Sequence, residues 1–152
     1  MIQRIQTVYL LVVALLSRTV LFFPVADFYS LQNGIFELSY KGLIGESGVQ
    51  ITSVWTLTLL ISVILLLSFV SIFFYKKRIL QIRLIVFNIV LMFGYYALLA
   101  YWIFKIKSSL GETEISLSLI ASFPLVNIIL SYLAIRAIGK DEALVRSLDR
   151  LR

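Results

Sequence analysis

Long apolar runs separated by short polar intervals dominate the pattern along this chain. Four of them are long enough to cross a hydrocarbon layer of about 30 Å, which takes about 20 helical residues. They cover about residues 5–23, stopping at Pro24; 53–75, "SVWTLTLLISVILLLSFVSIFFY"; 79–104, interrupted early by Gln81 and Arg83; and 115–138, which contains Pro124. Pro124 lacks a backbone donor and predicts a kink within the fourth run. Ser118 and Ser122 form a small-xxx-small pair that would let another helix approach closely.

The intervals between the runs carry their own patterns. In the loop 24–52, "DFYSLQNGIFELSY" predicts a β-hairpin, because Asn33-Gly34 suits a type I′ turn. In that register Leu31 faces Phe36 and Tyr29 faces Leu38, while Ser30 opposes Glu37. An isolated hairpin is marginal in water. Its apolar side is therefore expected on the helix ends or the bilayer surface, or against a partner through Tyr29, Phe36 and Leu38. After Gly139, Leu144, Val145, Leu148 and Leu151 recur at helical spacing, behind Asp141 and Glu142 at a helix start. Glu142 and Arg146 add an i,i+4 pair. The tail 139–152 thus reads as a basic amphipathic helix on the headgroups. The alternative is a docking segment for a soluble partner through Leu144, Arg146, Leu148 and Arg150.

Composition decides what the runs are for. Apolar residues make up 61% of the 152 and charged residues only 14%, against about 25% charged in soluble domains. The expected fold class is an all-α membrane protein: one domain over 1–152, a four-helix transmembrane bundle with a small extracytoplasmic β-hairpin loop and a cytoplasmic amphipathic C-terminal helix. The first run exceeds a signal-peptide core and no small-x-small site follows it, so it is read as an uncleaved anchor.

The net charge of +6 is unevenly spread. Arg4, Lys76, Lys77, Arg78, Arg83, Arg136, Lys140, Arg146, Arg150 and Arg152 fall on one side of the predicted spans, and only Lys41, Lys105 and Lys107 on the other. Asp27, Glu37, Glu46, Glu112 and Glu114 join the second side. Cations gather on the cytoplasmic side of bacterial inner membranes, so both termini are expected there. Trp55, Tyr101 and Trp102 mark one interface and Tyr75 the other. The basic "YKKRILQIR" is explained as an orientation signal, and nucleic acid is not expected as a partner.

Candidate chemistry is sparse. With no Cys and no His, thiolate nucleophiles, imidazole acid–base catalysis and Cys/His zinc sites are excluded. No cofactor is expected. There is no phosphate-cradling glycine loop, no deep carboxylate pair and no internal repeat. The intramembrane polar positions are Arg18, Asn88, Asn127 and Ser131. Gln3, Thr7, Ala14 and Arg18 form a polar and small stripe that predicts an inward-facing Arg18. Helical side chains lean towards the N-terminus, which makes snorkelling towards the nearer end awkward and an acidic partner attractive. Asp27, Glu112 and Glu114 are the candidates. Asn88, Asn127 and Ser131 read as helix–helix glue.

The opening "MIQRIQTVYLL", the "LFFP" closing the first run and the final "RAIGKDEALVRSLDRLR" resemble a family of four-helix integral membrane proteins of Bacteroidota, catalogued only as a domain of unknown function. The likeness covers essentially the whole chain. It implies an inner-membrane location and carries over no catalytic residue, ligand or partner; Arg18 lies outside its motifs.

The expected function is therefore a non-catalytic structural or accessory subunit of an inner-membrane complex. It would act by binding and positioning, with lipid and either a protein partner or a second copy as its contacts. The alternative is a small oligomeric transporter or channel with a path near Arg18, Asn88 and Asn127. A membrane enzyme, relying on Glu112 or Glu114, stands third.

Overall fold

The structure, a computed structural model, describes residues 3–30, 34–45, 50–111 and 113–150, with backbone alone at 3, 4, 76 and 144–150. Four helices form the bundle: α1 (Gln3–Phe22), α2 (Trp55–Phe73), α3 (Arg78–Leu110) and α4 (Phe123–Arg150). All four carry segments long and apolar enough to cross a membrane. Five strands complete the fold: β1 (Ala26–Ser30), β2 (Gly34–Ser39), β3 (Gly42–Gly45), β4 (Gln50–Thr52) and β5 (Thr113–Leu117).

The buried positions explain the bundle. On α1 they are Gln6, Leu10, Val13, Ser17 and Val20; on α2, Leu57, Ile61, Ile64, Ser68 and Ser71. On α3 the series runs Gln81, Ile85, Asn88, Met92, Tyr95, Leu99, Trp102 and Ile106. On α4 it runs Asn127, Ser131, Ala134, Ile138 and Asp141. Spacings of three and four alternate throughout. That 3.5-residue repeat is the seam of a left-handed helix bundle. The remaining helix surface is also apolar but exposed, as at Val8, Leu15, Leu66, Phe93 and Ile129. Helices apolar on every side suit a lipid surround.

The sheet overturns the all-α expectation. Its order is β4-β3-β2-β1-β5 and every pairing is antiparallel. The expected small hairpin is thus the centre of a five-stranded layer. Its register also differs. Phe28 pairs with Phe36, Asp27 with Glu37, Tyr29 with Ile35 and Ser30 with Gly34. The connection is residues 31–33, outside the described residues, and Gly34 holds a positive φ of 82°. An odd register shift exchanges the two sheet faces. Here it turns Ala26 and Phe28 inward beside Phe36 and Leu38, and leaves Tyr29 outside. Burying Phe28 completely against the helix ends, in one core with Val20, Val54, Leu57, Trp102 and Ile106, settles the register.

β5 comes from residues 113–117, the beginning of the fourth apolar run. It pairs with β1, Ala26 opposite Leu117 and Phe28 opposite Ile115. The fourth helix accordingly starts only at Phe123, after a 3-10 turn at Leu119–Ser122. Pro124 therefore occupies the first turn, where its missing N–H breaks no helical bond. It kinks nothing. Ser118 is extended (φ −65°, ψ 150°) and makes no helical pair with Ser122. At the other end α4 continues through Gly139 to Arg150, so the tail is an extension of the same helix.

Candidate functional site

Two matching relays lie inside the bundle. Asn88 Nδ2 donates to Ser68 Oγ at 2.8 Å, and Ser68 donates to the Ile64 carbonyl at 2.8 Å. Asn127 Nδ2 donates to Ser17 Oγ at 3.0 Å, and Ser17 donates to the Val13 carbonyl at 2.8 Å. The first relay ties α3 to α2 and the second ties α4 to α1. Each serine bonds back to its own helix, as a hydroxyl among apolar neighbours does. Asn88 Oδ1, Asn127 Oδ1 and Ser131 Oγ receive no donor from the described residues. These side chains are neutral, and no group of His, Cys, Asp or Glu able to hold a metal occurs among the described residues.

The end of the bundle away from the sheet is more polar. Gln6 Nε2 donates to the Asp141 carboxylate. Arg78 donates to the Asp141 carbonyl at 3.2 Å and reaches Glu142 at 3.5 Å. Gln81 donates to the Ser71 carbonyl at 3.0 Å, joining α3 to the end of α2. The first and last helices therefore meet here through side chains 135 residues apart in sequence.

Arg18 lies elsewhere. The inward stripe of α1 runs through Gln6, Leu10, Val13 and Ser17, one position off the predicted one, so Arg18 is exposed on the flank. It borders a groove of about 510 Å³ between α1 and α2, with Leu11, Ala14, Leu15, Ser62 and Phe69. Its guanidinium sits over the Phe22 ring, 5.7 Å from the centroid. That contact lies one turn towards the sheet end. The side chain reaches the end of the helix along an aromatic face, held by cation–π attraction. The backward lean of helical side chains, the basis for an inward partner, is overridden by the length of arginine.

On the sheet, Tyr29 is 44% exposed, whereas Phe36 and Leu38 are 5% and 2% exposed. The last two are core residues and offer a partner nothing. The outward face instead combines Tyr29 and Ile35 with Asp27, Glu37 and Glu114, which sit opposite or beside one another across β2, β1 and β5. The side chains of Leu144, Arg146, Leu148 and Arg150 lie outside the described residues, and their backbone is helical. Glu112, the other acidic candidate, is also outside them.

The sequence reading missed one surface altogether. β5 is an edge of the sheet, and the chain leaving it exposes Leu117 and Leu119. Below that edge, a groove of about 680 Å³ between α3 and α4 is lined by Tyr96, Leu99, Ala100, Ile103, Leu117, Leu119 and Leu125. The Tyr96 hydroxyl fixes the start of α4, donating to the Ala121 carbonyl at 2.8 Å and accepting from the Leu125 amide at 2.9 Å. The alternation in "TEISLSL" was a legible strand signal for this edge. Gln6, Ser17, Ser68, Gln81 and Asp141 were also missed; tracing the 3.5-residue stripe along each run would have found them.

No curated protein and no solved structure matches the chain. A family model described as Domain of unknown function (DUF4293) matches residues 2–151, and the chain belongs to that family.

Proposed function

We propose that this protein is a non-catalytic accessory subunit of a bacterial inner membrane, with both termini cytoplasmic and the sheet on the outer side. Charge supports that orientation: Lys77, Arg78, Arg83, Arg136 and Lys140 gather at the end away from the sheet, and Asp27, Glu37 and Glu114 lie on the sheet. The observation that carries the binding role is the continuity of the open β5 edge with the apolar groove below it. An edge strand presents unpaired backbone groups that a partner strand can use. The fitting occupant is a membrane protein that adds an extended outer segment to β5 and lays an apolar helix into the groove. The bundle interior supports positioning over turnover, because the amide N–H groups of Asn88 and Asn127 hold helices together.

A photo-crosslinking residue placed at Ser116, on the edge, and separately at Ile103, in the groove, tests this in native membranes. The same partner attached at both positions is the expected result. Attachment to different species, or to lipid alone at both, overturns it.

The unmet oxygens of Asn88, Asn127 and Ser131 favour a second reading, a small transporter whose path crosses the bundle interior. In it Arg18 plays no part, being on the flank. Solute flux through liposomes that is lost in Asn88→Leu and Asn127→Leu, and kept in Arg18→Leu, would select this reading.

A further inference from the structure

The end of the bundle away from the sheet holds another groove, of about 390 Å³, between α1 and α4. Ile5 and Tyr9 form one wall; Leu133, Arg136, Ala137 and Lys140 form the other, with Asp141 at its end. Along α4 the lining residues run Leu133, Arg136, Ala137 and Lys140, with Leu133 furthest from the polar end that the Gln6–Asp141 bond marks. Arg136 and Lys140 are also i,i+4 neighbours, so they stand one turn apart and repel each other. Both are exposed. Among the described residues neither has a carboxylate within ion-pair distance, since the ion pair there joins Arg78 to Glu142. Asp141 is 8% exposed and its carboxylate accepts from Gln6. With that carboxylate counted, the groove carries one net positive charge.

We propose that this groove binds one anionic phospholipid of the cytoplasmic leaflet. Its phosphodiester lies between Arg136 and Lys140, and an acyl chain runs inward along Tyr9 and Leu133. A phospholipid presents chemistry complementary to the groove, a hydrocarbon chain and a single negative charge at the headgroup. Basic grooves between helices on the cytoplasmic side suit such headgroups. The bound lipid would bridge α1 and α4 beside the bond from Gln6 to Asp141. This inference rests on the membrane reading and on its orientation.

The test reconstitutes the full chain in nanodiscs of equal parts phosphatidylglycerol and phosphatidylethanolamine, followed by gentle delipidation and native mass spectrometry. The wild-type protein is expected to retain one phosphatidylglycerol. Arg136→Gln/Lys140→Gln is expected to retain it about tenfold less, given the attraction of two cations for an anionic surface. Lys77→Gln/Arg83→Gln removes two cations from the same end, outside the groove, and should retain it as the wild type does. An unchanged helical circular-dichroism spectrum and unfolding midpoint show that the variants are folded. Equal retention of both lipids by the wild type, or an equal loss in the two double variants, overturns the proposal. Carbonate extraction of native membranes separates this failure from that of its premise. A chain that stays in the membrane pellet but retains no phosphatidylglycerol refutes the groove alone; a chain that carbonate releases refutes the membrane reading and the groove with it.

Discussion

The two ends of the bundle are held together by different physics. At the sheet end, one apolar core joins Phe28, Phe36, Leu38 and Leu43 to Val20, Val54, Leu57, Trp102 and Ile106. At the other end the buried cluster among the described residues is smaller, Leu10, Ile85, Ala134 and Ile138, with Tyr9, Ile72, Ile82, Ile89 and Ile135 packed against it. There Gln6, Asp141, Arg78, Glu142 and Gln81 supply directed bonds instead. Water makes the difference intelligible. On the proposed membrane reading the sheet lies outside the bilayer, so folding it removes apolar surface from water and gains the hydrophobic effect. Helices surrounded by hydrocarbon gain no such term from one another and associate through packing and hydrogen bonds.

The largest test of this contrast is Phe28→Ala. Phe28 is completely buried between sheet and helix ends, and truncating such a phenylalanine costs about 3–5 kcal/mol. Both tryptophans, Trp55 and Trp102, belong to the sheet end, where Trp102 Nε1 donates to Thr56 Oγ1 at 3.0 Å. Tryptophan emission therefore reports on that end alone. The expected outcome is a large drop in thermal stability in mild detergent, with an altered tryptophan signal before global unfolding. A loss below 1 kcal/mol would mean that the sheet is not anchored through Phe28.

Gly42→Ala probes the same end more locally. Gly42 has φ +134°, and a Cβ there would meet the Thr52 carbonyl oxygen at 2.2 Å. Neither conformation nor space admits a side chain, and a loss of about 2–3 kcal/mol is expected. β4 should detach first. Faster amide exchange at Gln50–Thr52, with the β1–β2 pairing still protected, is the measurement; uniform exchange across the sheet would show that β4 is no separate unit.

The same division governs what the sequence made legible. The four helices could be read because a long apolar run is a local signal, complete within about 20 residues. The sheet could not be assembled that way. β4 is three residues, and β5 pairs with β1 from the far side of two helices, α2 and α3, Ala26 with Leu117. Nothing local in "QIT" or "GLIG" announces such partners. The start of the fourth run was misassigned because Ile115 and Leu117 are as apolar as a helix requires; only their alternation with Glu114 and Ser116 marked a strand. At the candidate site, Asn88, Asn127 and Ser131 were identified as buried because polar residues deep in such runs face inward. Arg18 was not placed correctly, because a long side chain can escape the direction its Cβ sets.

At the opposite end, Gln6→Leu removes the amide that meets the buried Asp141 carboxylate. Leaving that buried acceptor unmet costs about 1–2 kcal/mol. Stability should fall while the tryptophan signal stays unchanged, the reverse of the Phe28 result. A change in tryptophan emission would show that the two ends are coupled through the helices and that the contrast between them is too simple.

The smallest effect is the most informative about the interior between the ends. Asn127→Leu deletes one hydrogen bond, to Ser17, yet also deletes Oδ1, an oxygen without a donor from the described residues. Ser17 keeps its bond to the Val13 carbonyl, so nothing on α1 is stranded. Interhelical bonds of this type average about 0.6 kcal/mol in membranes, and removing an unmet buried acceptor offsets a comparable amount. The expected net change lies within about 0.5 kcal/mol of zero, read as an unchanged unfolding midpoint in a denaturing-detergent titration. A loss above 2 kcal/mol would mean that Asn127 Oδ1 is engaged in the folded protein. The interior would then be a binding surface, and the case for a solute path would gain at the expense of an accessory subunit.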